Sequence, residues 1–331
     1  MNTSKLYIAS AVAAALALIG GIFAPAALIQ GYHFAVLTCL QPSLGCLFLL
    51  LLFQTTGGRW GEKLLPALMV GRAMVIPCLL AVIPVLVFLP AVYHWNEVGD
   101  RGLFLNRGFF TVRWLIYLLV FGGLSLAIAS GKRPAAVGLI GFALTGYFFA
   151  IDEIMAIDPE WYSSGFPVVS MASSALMAIA LAAFTQAGDK SQPLVWRDVG
   201  GLLMAMVVFW SYVAFTQFLI IWMGNLDSEI GWYVKRGSGA WLWVSIFIAV
   251  FNLFVPFFLL LARAVKENTE RLRRVSAMVF ACQIVYLYCL IAHSLPGRKF
   301  SGIHWIDPLV LTAVLCLAAA RFITLTRKSQ S

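Results

Sequence analysis

LYIASAVAAALALIGGIFAPAALIQGYHFAVLTCLQPSLGCLFLLLLFQTTGG, residues 6–58, contains no Asp, Glu, Lys or Arg. A helix that crosses a bilayer needs roughly 20 predominantly apolar residues, so this stretch is long enough for two. The polar group Gln30-Gly31-Tyr32-His33 marks the expected break between them. Further uncharged runs lie at 73–96, 114–131, 134–151, 161–188, 199–226, 237–262 and 275–297. They are too long for the strands of an outer-membrane barrel and lack its period-two polarity. The pattern predicts an all-α polytopic membrane protein, a single integral membrane domain over 1–331 with about ten transmembrane helices. Their expected positions are about 6–29, 33–54, 71–92, 110–130, 134–152, 165–187, 199–223, 239–263, 275–296 and 303–323.

Composition agrees with this reading. Of 331 residues 62% are hydrophobic and 11% charged, and the mean hydropathy is +0.91. A soluble domain carries about 25% charged residues. A purely soluble protein, a disordered chain and a disulfide-rich secreted scaffold are therefore excluded. Ten spans of roughly 20 residues leave only short loops and no room for a soluble catalytic domain.

Lys and Arg set the expected orientation, because they concentrate on the cytoplasmic side. Sixteen of the 23 fall at the two termini and in the even-numbered loops; the other seven are Arg101, Arg107, Arg113, Lys235, Arg236, Arg298 and Lys299. Both termini are expected in the cytoplasm and the first segment is read as a retained span, in a bacterial cytoplasmic (inner) membrane. The net charge of +9 then answers anionic lipid headgroups, not nucleic acid. The opposite side carries the acids. Asp152, Glu153, Asp158 and Glu160 lie in the 5–6 loop, and Asp227 and Glu229 in the 7–8 loop, among Trp161, Tyr162, Trp232 and Tyr233. Interfacial Trp and Tyr are ordinary anchors. Together with six carboxylates they point to a surface that docks a partner or passes protons.

Metal chemistry has little to work with. Cys39, Cys46, Cys78, Cys282, Cys289 and Cys316 fall inside spans with no C-x-x-C pair, and read as packing residues. His33, His94, His293 and His304 are all expected at helix ends, so no metal site is expected. Soluble-enzyme motifs such as G-x-S-x-G, the P-loop and H-E-x-x-H are missing from the sequence, and no internal repeat is visible. Polar residues inside the bilayer are functional candidates. In span 9, Gln283, Tyr286 and His293 share one helix face as a proton relay would, or as interhelical hydrogen bonds would. Span 8 has Asn252 ahead of Pro256, and span 2 has a polar break at Gln41-Pro42-Ser43.

Two blocks carry a resemblance. The first is Asp152-Glu153-Ile154-Met155-Ala156-Ile157-Asp158-Pro159-Glu160-Trp161-Tyr162-Ser163-Ser164-Gly165-Phe166. The second is Phe215-Thr216-Gln217-Phe218-Leu219-Ile220-Ile221-Trp222-Met223-Gly224-Asn225-Leu226-Asp227-Ser228-Glu229-Ile230-Gly231-Trp232-Tyr233-Val234-Lys235-Arg236. Both resemble signature blocks of the F-type membrane subunit of alternative complex III, the bacterial quinol:cytochrome c oxidoreductase, in the NrfD-like family. Trp60-Gly61-Glu62, Tyr93-His94-Trp95 and Leu105-Asn106-Arg107 add to it. The chain departs from the family at Glu153, where an aromatic residue is usual, and at Met223-Gly224.

The resemblance implies two four-helix bundles plus two extra helices. It implies a related NrfD-like membrane subunit and extracytoplasmic iron–sulfur and multihaem cytochrome c subunits as partners. Electrons would run through those partners, with no cofactor bound covalently here and quinone or quinol as a candidate ligand. Candidate proton-path or quinone-proximal residues are Asp152, Asp158, Glu229, Arg113, Gln283, Tyr286 and His293. Candidate docking residues are Trp161, Tyr162, Trp232, Tyr233 and Arg236. Asp152 is expected to release protons near Arg113, and Asp158, before Pro159, to bind backbone N–H groups in a turn. A proton- or ion-coupled transporter and a structural membrane anchor remain alternatives. Purified alone, the chain is expected to show no haem Soret band, because no ligand pair is expected within the bilayer; a stoichiometric b-type spectrum would reassign His33 and His293 as ligands.

Overall fold

The computed structural model describes residues 3–95, 102–187, 193–298 and 303–330. Arg101, Lys190 and Lys299 of the charge distribution lie outside them. The described residues are helical, with no strand among them, and ten segments are long and apolar enough to cross a membrane. The protein is an all-α polytopic membrane protein. Spans 1 and 2 are α1 (Thr3–Phe23) and α2 (Pro25–Thr56); span 3 is a chain of three helices, α3 (Arg59–Ala73), α4 (Val75–Leu80) and α5 (Ile83–Val87). Spans 4, 5, 6 and 7 are α6 (Arg107–Ala129), α7 (Ala135–Glu153), α8 (Phe166–Gln186) and α9 (Pro193–Gly224). A short surface helix, α10 (Asp227–Arg236), leads into span 8, formed by α11 (Gly239–Ala249), a π turn and α12 (Val255–Leu261). After α13 (Arg263–Lys266), spans 9 and 10 are α14 (Thr269–Ala292) and α15 (Ile306–Gln330).

Local chemistry explains where these helices break. The first break falls at Ala24, not at Gln30–His33. Ala24 precedes Pro25 and is extended (φ −144°, ψ 68°); a residue before proline is pushed out of the helical region, while proline suits the first helical turn. His33 consequently lies well inside α2 rather than at a helix end. Pro42 does not break α2, which runs through it as one helix; beside it Ser43 Oγ donates to Cys39 O at 2.7 Å and Thr38 Oγ1 to Phe34 O at 2.9 Å. Pro256 lacks the N–H that would bond the carbonyl of Asn252 four residues back, and Val250–Phe254 is the π turn. Gly57 and Gly58, at φ +68° and +112°, let the chain reverse between α2 and α3 in two residues. Span 3 begins at Arg59, so Arg72 is buried within the helix, its guanidinium on Ser125 O of α6 at 2.5 Å.

Helix contacts sort the spans into two rings. α2, span 3, α6 and α7 pack consecutively and close on one another; α8, α9, span 8 and α14 do the same. The two bundles begin four spans apart, so corresponding helices run in the same direction, a repeat that the sequence does not display. α1 and α15 pair outside them and rest on α2. Ser10 Oγ donates to Ala313 O, while Trp305 lies over Gly20. The pair is therefore antiparallel, with the start of α1 and the end of α15 at one end of the molecule, called here the terminal end. The other is the far end.

α2 and α8, the first helix of each bundle, meet at the centre and are the most buried spans. In lipid there is no hydrophobic drive to bring helices together, so close packing of small residues decides. α8 supplies Ala172, Ser174, Ala175, Ala178 and Ala182; Gly45 of α2 sits against the Ser174 carbonyl and Ala178. Gly45→Val is expected to destabilise the protein by about 1–3 kcal/mol through overpacking, read as a lower unfolding temperature in detergent. Gly141→Ala on α7, where a Cβ has open space, should be neutral or stabilising by up to about 1 kcal/mol.

Candidate functional site

The far end of the first bundle is built around two adjacent carboxylates that close α7. Asp152 is fully buried. Arg113 of α6 forks onto it, Nε to Oδ2 at 2.7 Å and Nη2 to Oδ1 at 2.8 Å. Tyr117, one helical turn along α6, donates its hydroxyl to the same carboxylate. Arg113 also donates to Phe104 O at 3.0 Å and lies over the Phe104 ring, 3.9 Å from its centroid. Every oxygen of Asp152 is committed. A bidentate pair of this kind is positioned rigidly, and removing one partner would strand a buried charge.

Glu153 differs in every respect except burial. Successive helical residues point about 100° apart, so Glu153 turns away from Arg113 and toward α2. Its carboxyl is fully buried, and neither oxygen has a hydrogen-bond partner. The nearest basic atom is His33 Nδ1, 3.9 Å from Oε2 and itself unpartnered. His33 Nε2 lies 3.0 Å from the Glu153 carbonyl. A carbonyl only accepts, so Nε2 carries the proton and Nδ1 presents its lone pair toward the carboxyl in the neutral ring. Tyr93 donates to the same carbonyl at 3.3 Å, and Trp95 Nε1 to Ala156 O at 3.0 Å. A groove of about 480 Å³ lined by Phe104, Ile151, Met155, Pro159, Trp161 and Tyr162 runs along the outside of this end.

The second bundle answers with a cation. Arg236 ends α10, buried, with its guanidinium 3.6 Å from the Trp232 ring centroid. It donates to Leu290 O at 3.1 Å and Ser294 Oγ at 2.8 Å, closing the end of α14 as basic side chains do at helix C-termini. No carboxylate lies within ion-pair distance among the described residues; burial lowers its pKa to about 10, which still leaves it charged at neutral pH. Trp232 stacks on Trp161 with centroids 4.3 Å apart, so the loop after α7 and the helix α10 are joined by ring stacking. Trp161, Trp232 and Arg236 are thus occupied inside the protein, Tyr233 packs edge-on to Phe218 at 5.2 Å, and Tyr162 stays half exposed.

Other candidates are more dispersed. Asp158 acts through its backbone: Trp161 N donates to Asp158 O at 3.1 Å. Glu229 sits in the first turn of α10 with Asp227, where carboxylates are favoured by the helix dipole. Gln283 accepts from Ser173 Oγ of α8 at 2.5 Å, Tyr286 lies edge-on to Trp210, and His293 edge-on to Trp241. Gln283 Nε2 and both side-chain polar atoms of Asn252 are buried without partners. Among the described residues no group of three or more His, Cys, Asp or Glu side chains is arranged to hold a metal.

Sequence reasoning paired Arg113 with Asp152 and passed over Glu153 and His33. The available signal was the doublet itself: two carboxylates in succession at a helix end cannot both face one arginine. No protein-family model matches the chain, and no curated protein matches it. Burial, then Arg236 and Lys235, lowers the pKa of His293 to about 4, so its ring is neutral at pH 7. The unfolded chain has the higher pKa, about 6.5, and takes up protons first. Stability should therefore be fully present above pH 6.5 and fall as pH drops through 4. In His293→Gln that part of the acid limb should disappear from thermal unfolding measured between pH 7 and 4.

Proposed function

We propose that the chain is an integral membrane subunit of a quinol-oxidising respiratory complex of the quinol:cytochrome c oxidoreductase type. In this reading it supports assembly and moves protons, while iron–sulfur and multihaem cytochrome partners and a related membrane subunit carry the electrons. The far end faces outward and both termini face the cytoplasm of a bacterium, as the Lys and Arg bias requires.

The observation that supports it is the Glu153–His33 pair. With Nε2–H held by a carbonyl, Nδ1 and the carboxyl form a site for one shared proton, 3.9 Å across. A small side-chain shift, or one water, links them. Oxidation of a quinol releases protons as well as electrons, and an acceptor on the outward side is what that chemistry needs. Asp152 beside it is already paired with Arg113, which leaves the Glu153 carboxyl as the one of the two free of an ion pair with arginine among the described residues. Proton release, expected from the sequence at Asp152, is accordingly assigned to Glu153. The groove beside the stacked loops, with half-exposed Tyr162 on its wall, is the surface on which partners assemble.

Gentle purification of the native complex with identification of the co-purifying chains tests the assignment directly. Multihaem and iron–sulfur chains are expected; recovery of this chain alone would favour the transporter, which the same proton site would serve. Within the complex, Glu153→Gln should assemble normally and lose quinol oxidation or its proton release by about 10²-fold or more. Asp152→Asn should instead reduce assembly, since it breaks a buried pair worth about 3–5 kcal/mol when one partner is lost. Wild-type turnover by Glu153→Gln across pH 6 to 8 would remove the proton role.

A further inference from the structure

Spans 9 and 10 are joined at the far end and part toward the terminal end. Tyr288 donates to Asp307 Oδ2 at 2.7 Å, and Arg298 forks onto the same carboxylate. Beyond that clasp α14 packs mainly on α8, and α15 on α1 and α2. The space left is a cavity of about 240 Å³, floored by Thr38 and Pro42 and walled by Phe184, Phe280, Ala318 and Phe322. It runs from the middle of α2 to Ile323, near the terminal end of span 10, the depth of one leaflet. With a methylene taken as about the size of a water, ~30 Å³, it accommodates roughly eight carbons of a chain.

Its wall selects hydrocarbon. The hydroxyl protons that border it are committed to carbonyls of their own helices: Thr38 to Phe34, Ser43 to Cys39 and Thr185 to Leu181. Its mouth selects a negative charge. Arg273 stands exposed with its guanidinium 5.0 Å from the Phe184 ring centroid. Among the described residues it has no carboxylate within ion-pair distance, whereas Arg263 and Arg274 nearby are paired with Glu267 and Glu270.

We infer that this slot between α14 and α15 binds one anionic phospholipid from the leaflet at the terminal end, an acyl chain filling the cavity and the phosphate paired with Arg273. Basic residues beside an interhelical slot are a recurrent headgroup site. The site is remote from Glu153 and does not depend on the respiratory reading.

The full chain, delipidated in detergent, is titrated with phosphatidylglycerol or phosphatidylcholine and followed by native mass spectrometry and thermal unfolding. A single phosphatidylglycerol adduct and a raised unfolding temperature are expected, with phosphatidylcholine at least tenfold weaker. Arg273→Gln, an exposed change, should abolish the preference between the two lipids. Ala318→Phe, which fills the slot, should abolish the adduct. An unchanged preference in Arg273→Gln would overturn the proposal, as would an isoprenoid quinone recovered in place of phospholipid or a slot occupied by a second copy of the chain.

Discussion

The contact of Gly45 with the Ser174 carbonyl, where α2 crosses α8, is the constraint on which the rest of the architecture depends. Inside a bilayer an apolar side chain gains nothing by leaving lipid for protein, so helices associate only where their backbones approach closely or share polar bonds. α8 offers a run of Ala and Ser for this purpose, and α2 offers Gly45. Gln41 strengthens the crossing by accepting from Ser174 Oγ. Each of the two helices then leads its own four-membered ring, and the rings are held in register by their common centre.

That register brings the functional elements together. α7 belongs to the first ring and α10 leads into the last half of the second, yet Trp161 and Trp232 stack because α2 and α8 hold the rings side by side. His33 reaches Glu153 because α2 passes behind α7. Adjacent carboxylates thereby acquire opposite fates: one is paired with a forked guanidinium and a tyrosine, the other has no hydrogen-bond partner and faces the His33 imidazole at 3.9 Å. A buried carboxylate without hydrogen bonds is costly in its charged form. Its presence beside a fully balanced twin is the observation on which the proposed proton role rests.

The clasp of Arg298, Asp307 and Tyr288 has a comparable consequence at long range. Its polar bonds tie the ends of α14 and α15 at one surface, while each helix follows a different neighbour toward the other. Two helices held at one end and drawn apart at the other leave a wedge. Its apolar wall and the arginine at its mouth are set by side chains contributed from α2, α8, α14 and α15 together.

Sequence alone determined that the chain is helical with about ten segments long and apolar enough to cross a membrane, because backbone satisfaction in lipid demands uncharged stretches of fixed length. It also marked Arg113, Asp152 and the two aromatic loops as belonging to one surface, since acids and interfacial Trp and Tyr cluster in the loops of that side. It did not determine which spans are central. Lipid-facing and protein-facing residues are equally apolar, so α2 and α8 read like α1 and α15. Nor did it separate Glu153 from Asp152 or place His33 inside a helix, because a carboxylate's role depends on what lies across the helix interface. Only the tertiary structure decides that: α6 presents an arginine to one residue, and α2 presents a histidine to the next.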